Sequence, residues 1–404
     1  MEEGSQVSTV RPQRSQARRG SNVRELRPSR PPAEVPSTLD RPDLTYVAAL
    51  VGLISVGMIM VYSTTAIEGI SSLVRMGIWL GIGVPGMLVA SRLPMGFWRA
   101  AAPGLLIVCF LVLASLLLKE RNPLAVEVNG AYRWLRIPGV GQIQPSEISK
   151  FAFILFAAQY LDQRAQKMNG RRWLTFLGVL GAFAGVIYKE PDLGTALVLT
   201  GTAFCMLLAA GIRWGTLIKG VVVLAALVFA LAWTTDHQRD RLLSWWNPWA
   251  EEHRQEGGYQ TVRSLSAMSQ GGLTGVGLGR STYKLDNRLP EAETDFIFAI
   301  VAEELGMVRA LTVLGLFALL AWRGFSIAAR APDRYSALVA TGITSWVAVQ
   351  SCLNVAVVTG TVPNTGVPLP FISSGGSSLT ALMIASGVVV GISRRRPVKE
   401  EAVR

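Results

Sequence analysis

NRLPEAETDFIFAIVAEEL, residues 287–305, decides how the rest of the chain is read. Up to Thr294 the stretch is polar, acidic and broken by Pro290; from Phe296 it turns apolar and begins what reads as a long membrane helix capped by Thr294. Asp295 therefore stands about where water gives way to hydrocarbon. A carboxylate is costly to desolvate at that depth and is seldom kept there without a use, so Asp295 is the first candidate for chemistry.

Outward from this boundary, composition sets the class. Half of the 404 residues are hydrophobic, 16% are charged and mean hydropathy is +0.37. Soluble domains carry about a quarter charged residues, so the chain reads as an all-α polytopic membrane protein. The net charge of +12 would suit nucleic acid until the basic residues are placed. Cys109, Cys205 and Cys352 all fall in apolar runs, which argues against a disulfide framework or a zinc site. His237 and His253 alone make a histidine metal centre a poor expectation.

Residues 1–42 form a separate regime. Arg11, Arg14, Arg18, Arg19, Arg24, Arg27, Arg30 and Arg41 are mixed with Pro, Ser and Gln, and apolar residues are too sparse to build a core. This reads as a disordered basic tail, a contact for anionic lipid or a cytoplasmic partner, or simply a solvated segment that fixes orientation. The long apolar run that follows lacks a small-residue cleavage site and is expected to stay as an anchor.

Ten apolar windows then follow, at about 44–63, 73–91, 99–118, 147–163, 173–188, 193–211, 216–234, 294–322, 335–359 and 376–393. Roughly 20 residues at 1.5 Å rise cross a hydrocarbon core of about 30 Å. The fifth and sixth windows are short and are split by Lys189-Glu190-Pro191-Asp192; reading them as one broken span would reverse everything after them. Loop charge decides between the two. With ten spans, the basic tail, Arg92, Arg99, 164–172, Arg213, Lys219, 323–334 and 394–399 share one side, while 64–72, 189–192 and 360–375 hold almost no Lys or Arg. The positive-inside rule then puts both termini in the cytoplasm. The organisation expected is a cytoplasmic tail (1–42), a ten-helix membrane domain (43–393) with a large extracellular loop (235–293), and a basic cytoplasmic tail (394–404).

Three outward segments are rich in polar residues: 119–150, 235–293 and 360–378. In the first, Pro145 suits a helix start, Glu147 favours its positive end, and Lys150 lies three residues on along the same face. An ordinary capped helix with an ion pair is the bland account; a Glu147–Lys150 pair facing a polar cavity, with Lys150 free to hold a phosphate, is the functional one. Asp192 follows Pro191 at the next outward break, as a simple cap or as a third carboxylate at the depth of Glu147 and Asp295. Asp295 and Glu147 together could hold a divalent cation, magnesium or manganese, against a phosphate. The middle segment, with Trp245, Trp246 and Trp249, reads as a long loop on the membrane surface. Its run GGLTGVGLGRS (271–281) imitates a dinucleotide fingerprint, but no βαβ unit surrounds it; flexible glycines hugging substrate or bilayer are the better account. In PNTGVPLPFISSGGSSL (363–379), Pro368 and Pro370 forbid a continuing helix, and the serine- and glycine-rich start of the last span, through Ser377 and Ser378, offers backbone N–H groups to an anion.

QPSEISK, EPDLGT, LPEAETDFIFAIVAEELG and GVPLPFISSGGSSL, in this order and at these span boundaries, resemble the SEDS family (shape, elongation, division and sporulation proteins) over roughly residues 44–393. The resemblance implies a ten-span peptidoglycan glycosyltransferase that polymerises lipid II at the outer face of the cytoplasmic membrane, beside a class B penicillin-binding transpeptidase. The family's essential aspartate matches Asp295, its Glu and Lys of the fourth span match Glu147 and Lys150, and its PDLGT aspartate matches Asp192. The chain departs from the usual wording at Ser373-Ser374-Gly375-Gly376, at Glu293, and at Arg309, about four turns into the eighth span. The PEA-TDF wording leans to the division-type branch. In the implied reaction a sugar hydroxyl attacks an anomeric carbon and undecaprenyl pyrophosphate leaves. Asp295 is the expected base; Lys150, with Arg133 and Arg136, is the expected cationic side, and Gln144 belongs to the same motif. A lipid II transporter and a silent scaffold for the transpeptidase are the rival readings; few polar residues in the inner halves of the spans speak against transport.

Overall fold

The computed structural model of the protein describes residues 37–39, 41–65, 70–128, 130–138, 141–164, 170–212, 236–250, 257–284 and 288–397, with scattered residues between 214 and 220. Its helices are α1 (Leu44–Thr65), α2 (Ile70–Arg92), α3 (Met95–Ser115), α4 (Pro145–Arg164), α5 (Gly170–Lys189), α6 (Leu193–Ala209), α7 (Asp236–Trp246), α8 (Gly257–Gly271), α9 (Ile297–Ala329), α10 (Arg334–Val358) and α11 (Gly376–Ser393). Nine of the ten expected spans have a helix; the window 216–234 falls almost wholly outside the described residues. Six helices, α1, α2, α3, α9, α10 and α11, are long and apolar enough to cross a membrane. The fifth and sixth windows are separate helices, broken at Glu190–Asp192, where the Asp192 carboxylate caps α6 by accepting the Thr195 N–H at 3.0 Å.

The layers follow from which faces are apolar. The stretch 151–158 of α4 is buried almost all round, and most of α10 and α11 is inside. Such helices form the centre of a bundle. Outside them, Val51, Ile107, Leu111, Leu311 and Trp322 are all more than half exposed. A broad apolar exterior of this kind belongs against lipid. Small residues let the backbones close up: a Cβ on Gly387 of α11 would stand 2.3 Å from the Met87 carbonyl oxygen of α2, as in other close-packed membrane helices.

Three features depart from the expected organisation. Segment 119–150 carries a three-stranded antiparallel sheet of β2 (Ala125–Val128), β3 (Ala131–Ile137) and β4 (Gly141–Ile143). The long outward loop contains α7 and α8 rather than irregular chain alone. β1 (Ser37–Leu39) pairs antiparallel with β5 (Arg395–Pro397), joining stretches read as two separate tails; the Asp43 backbone N–H also donates to Ser393 at 3.1 Å.

α9 is not one continuous helix. Gly306, at φ 81° and ψ 167°, breaks it into a short piece, 297–305, and a span of about 34 Å at 1.5 Å per residue. The first piece is buried on every side from Ile297 to Glu304. The glycine-rich run 271–281 fills the break: Val276 and Gly277 donate N–H to the carbonyls of Glu303 and Glu304, and Gly272 accepts the Met307 N–H at 2.9 Å. The orphan groups of both broken ends are thus satisfied by the loop backbone. Arg309 consequently lies just beyond the break, exposed, donating to the Thr274 carbonyl at 3.0 Å, and not deep in a span.

Candidate functional site

Asp295 is placed by backbone on three sides. The Asn354 amide of α10 donates to its carbonyl at 2.7 Å and to that of Val367 at 2.8 Å. Ser373 donates to the Thr294 carbonyl at 2.6 Å, and the Ser374 N–H to the Glu293 carbonyl at 2.8 Å. Thr294 does not cap the helix; its hydroxyl turns back to the Glu291 carboxylate at 2.7 Å, and Phe296 stands at the cap without a side-chain bond. The half-buried Asp295 carboxyl faces Gly366, whose Cβ position would lie 3.5 Å from Oδ2. Among the described residues no side chain hydrogen-bonds this carboxyl. Burial, with the charges of Glu291 and Asp192, pushes its pKa up to about 7, against the pull of Arg133 and Arg241.

Asp192 stands in the same field. One oxygen caps α6 and the other accepts the Gln144 amide at 3.0 Å. Arg133, from β3, donates to the Glu190 carbonyl at 2.7 Å and the Pro191 carbonyl at 2.5 Å, so its guanidinium leans over this turn. Burial raises the Asp192 pKa, opposed by Arg133 and by the Thr195 bond. Burial and the Asp192 charge push Glu190 to about 9; its Oε1 is buried without a partner.

Glu147 and Lys150 are a different kind of cluster. Lys150 is 2% exposed; it donates to Glu147 at 2.7 Å and to Gln350 at 2.9 Å, with the Trp346 ring 4.9 Å below. The second Glu147 oxygen accepts the Ser378 hydroxyl at 2.9 Å, and Ser377 accepts the Gln144 backbone N–H at 3.2 Å. This knot ties α4, α10 and α11 together. Lys150 thus already has two acceptors and each Glu147 oxygen one donor, within a knot closed to solvent. Among the described residues no group of three or more His, Cys, Asp or Glu side chains is placed to hold a metal ion.

Beyond the 373–376 segment lies a polar cavity of about 400 Å³, lined by Arg75, Trp79, Trp134, Gln142, Glu293 and Ser374 among others. An apolar slot of about 140 Å³ adjoins it, sharing Trp79 and lined by Ile143, Phe151 and Ile384. Strand alternation puts exposed Arg136 on the Trp134 face of β3, opposite Arg133. α11 begins in the cavity wall at Gly376 with no side chain capping it. The structure therefore brings Asp295, Asp192, Arg133 and Gln144 together, keeps Glu147, Lys150 and Ser378 in a sealed knot, and leaves Arg136 at an edge. Sequence reasoning missed Arg241, Asn354, Gln350 and Arg75. Only Asn354 and Gln350 carried a signal, as amides inside an apolar span.

These features belong to a recognisable class. The model of the FtsW, RodA and SpoVE family, described as cell cycle protein, matches residues 43–397, and the chain belongs to that family. It is 38% identical over 363 residues to stage V sporulation protein E of Bacillus subtilis, covering 87% of this chain and 97% of that one. It is 35% identical over 366 residues to the probable peptidoglycan glycosyltransferase FtsW of Geobacter metallireducens, covering 88% and 96%. Among solved structures, a chain of a peptidoglycan synthase complex that coordinates polymerization and crosslinking matches with TM-score 0.74 at 27% identity, over 87% of this chain and 98% of that one. The rod shape determining protein RodA of Thermus thermophilus matches with TM-score 0.64 at 26% identity, over 87% and 97%.

Proposed function

We propose that this chain is a peptidoglycan glycosyltransferase that polymerises lipid II at the outer face of the bacterial cytoplasmic membrane, with Asp295 as general base. One observation carries the assignment of the base: a half-buried carboxyl, without a hydrogen-bond partner among the described residues, whose pKa stands near 7. A base is most effective when its pKa lies near the working pH. Asp295 takes the proton of the acceptor sugar hydroxyl as that oxygen bonds to the donor's anomeric carbon. The bond from that carbon to the pyrophosphate oxygen breaks, and undecaprenyl pyrophosphate leaves. Arg133 and Arg241 offset the charge on the Asp295–Asp192 side, and Arg75 with the uncapped start of α11 on the cavity side. The apolar slot beside Trp79 suits a prenyl chain.

Topology follows the same reading. The β1–β5 ladder holds the chain before α1 and after α11 together, which supports an even number of crossings. Nine described helices and the window 216–234 make ten, with both termini cytoplasmic and 235–293 outside. Residues 1–42 and 394–404 are then the cytoplasmic tails. The partner is a class B penicillin-binding transpeptidase that cross-links the new strand, a reading supported by the likeness to the synthase complex. The FtsW and stage V sporulation relatives favour the division-type branch.

The test is a gel assay of lipid II polymerisation with the transpeptidase co-purified, comparing wild type with Asp295→Asn. Polymer from wild type alone is expected; equal polymer from both removes the base. In liposomes with labelled lipid II, transfer across the bilayer without polymer would favour a transporter, and polymer made by Asp295→Ala would favour another base or a scaffold.

A further inference from the structure

The pair Glu303–Glu304 lies inside a stretch read as bilayer helix, and neither carboxylate belongs to the cluster around Asp295. Both are buried, and all four oxygens are engaged by the glycine-rich run and its continuation. Glu303 accepts from the Ser281 hydroxyl and from the Thr282 N–H at 2.9 Å. Glu304 accepts the Ser63 hydroxyl at 2.6 Å, the Gly279 N–H at 3.1 Å and the Lys284 ammonium at 2.7 Å. Lys284, its side chain 4% exposed, also donates to the Ser63 carbonyl and hydroxyl, each at 2.9 Å.

Two other facts give this cluster a mechanical meaning. Gly306 separates the short helix 297–305 from the spanning part of α9, so the rigidity of the span does not reach Asp295. Ser63 belongs to the outer end of α1, which is tied at its other end to α9 and α11 through Asp43, by ion pair to Arg323 and by backbone bond to Ser393. The Lys284 ammonium thus bridges a fixed pillar and the far end of the helix that begins two residues after Asp295.

We infer that Lys284 is a positioning residue: by locking Glu304 to Ser63 it sets the depth and tilt of the helix 297–305 and so the place of the Asp295 carboxyl. This rests on the reading of Asp295 as the base. A lock of this kind acts on turnover more than on substrate capture, because apart from Glu293 and the segment 373–374 bonded to it the polar cavity and the Arg133 turn are built on other elements.

The test uses the full chain co-purified with its transpeptidase and follows lipid II polymerisation across a range of substrate concentrations and pH. Four variants are compared with wild type: Lys284→Met, Lys284→Arg, the neutral pair Lys284→Met with Glu304→Gln, and Asp295→Asn. The neutral pair removes the ammonium bridge without stranding a buried charge, leaving only the Ser63 hydroxyl bond to residue 304, so it stays testable should Lys284→Met alone fail to fold. The expected result is a kcat lowered at least tenfold in the neutral pair, at unchanged KM and within a few degrees of wild-type Tm. The acid limb of the pH profile is expected to move, since Asp295 changes its surroundings, and Lys284→Arg is expected to restore most of the loss. A neutral pair with kcat within twofold of wild type overturns the inference, as does a loss of kcat and KM together with a collapse in Tm and no rescue by arginine. If Asp295→Asn is inactive while the neutral pair is normal, only the lock is wrong; if Asp295→Asn is active, the base itself is wrong.

Discussion

Glu147 and Asp295 are both acidic groups at the beginning of a helix, read from sequence as lying at one depth, and the structure treats them in opposite ways. Both Glu147 oxygens are hydrogen-bonded and its charge is matched by a buried ammonium. Asp295 is held through its backbone carbonyl, and among the described residues none hydrogen-bonds its carboxyl, whose proton is left to the field of its neighbours. A buried pair bonded on both partners fixes geometry. A half-buried carboxyl without such a partner among the described residues is free to exchange a proton.

The largest effect that would break this contrast is on Asp295. Asp295→Asn keeps shape and is expected to lower polymerisation by roughly 10²–10⁴, the range for a general base, while thermal unfolding in detergent stays near wild type. A comparable loss of Tm would put Asp295 in the structural class with Glu147. Next, Lys150→Met is expected to destabilise by about 3–5 kcal/mol, because Glu147 is left charged and buried. Lys150→Met combined with Glu147→Gln should recover most of that in denaturant melts. A single variant with normal stability and lost substrate binding would return Lys150 to the substrate.

The pH profile sharpens the same contrast. The base form of Asp295 is the ionised one, so with a pKa of about 7 the rate should fall about tenfold per unit as pH drops below it. A limb near the ordinary carboxylate range would show that the group is not desolvated. The smallest effect is at Glu190, whose pKa rises from 4.5 to about 9. The folded state then holds a proton that the unfolded state releases, so stability should fall as pH rises through that window. Glu190→Gln mimics the protonated form and should flatten the slope of Tm against pH. An unchanged slope would mean that Glu190 is ionised in the folded chain.

Much of the fold was legible because lipid imposes a simple pattern: long apolar windows, interrupted by charge and proline. Asp295 was legible for the same reason, as a charge where the pattern forbids one. The break at Gly306 was not, since a single glycine in an apolar run looks like an ordinary helix position until its φ is known. The purpose of the glycine-rich run was hidden for the complementary reason, because apart from the Ser281 hydroxyl its bonds are made by its own backbone and leave no side-chain signature. Sequence could place Lys150 on the face of Glu147 but not foresee Gln350 and Trp346, about 200 residues away, closing over it. Arg241 gave no sign, being one of several basic residues in a stretch read as loop. Helix periodicity tells which face a residue occupies, and only the folded neighbours tell whether it is spoken for.

The β1–β5 ladder has an electrostatic corollary. Across the ladder Thr38 faces Arg396 and Leu39 faces Arg395, although more than 350 positions separate the two strands along the chain. Two residues of the basic stretch 394–399 are therefore held against the chain just ahead of α1, well within about 10 Å, the screening distance at 0.1 M salt. Breaking the ladder would release that positive charge from the start of α1.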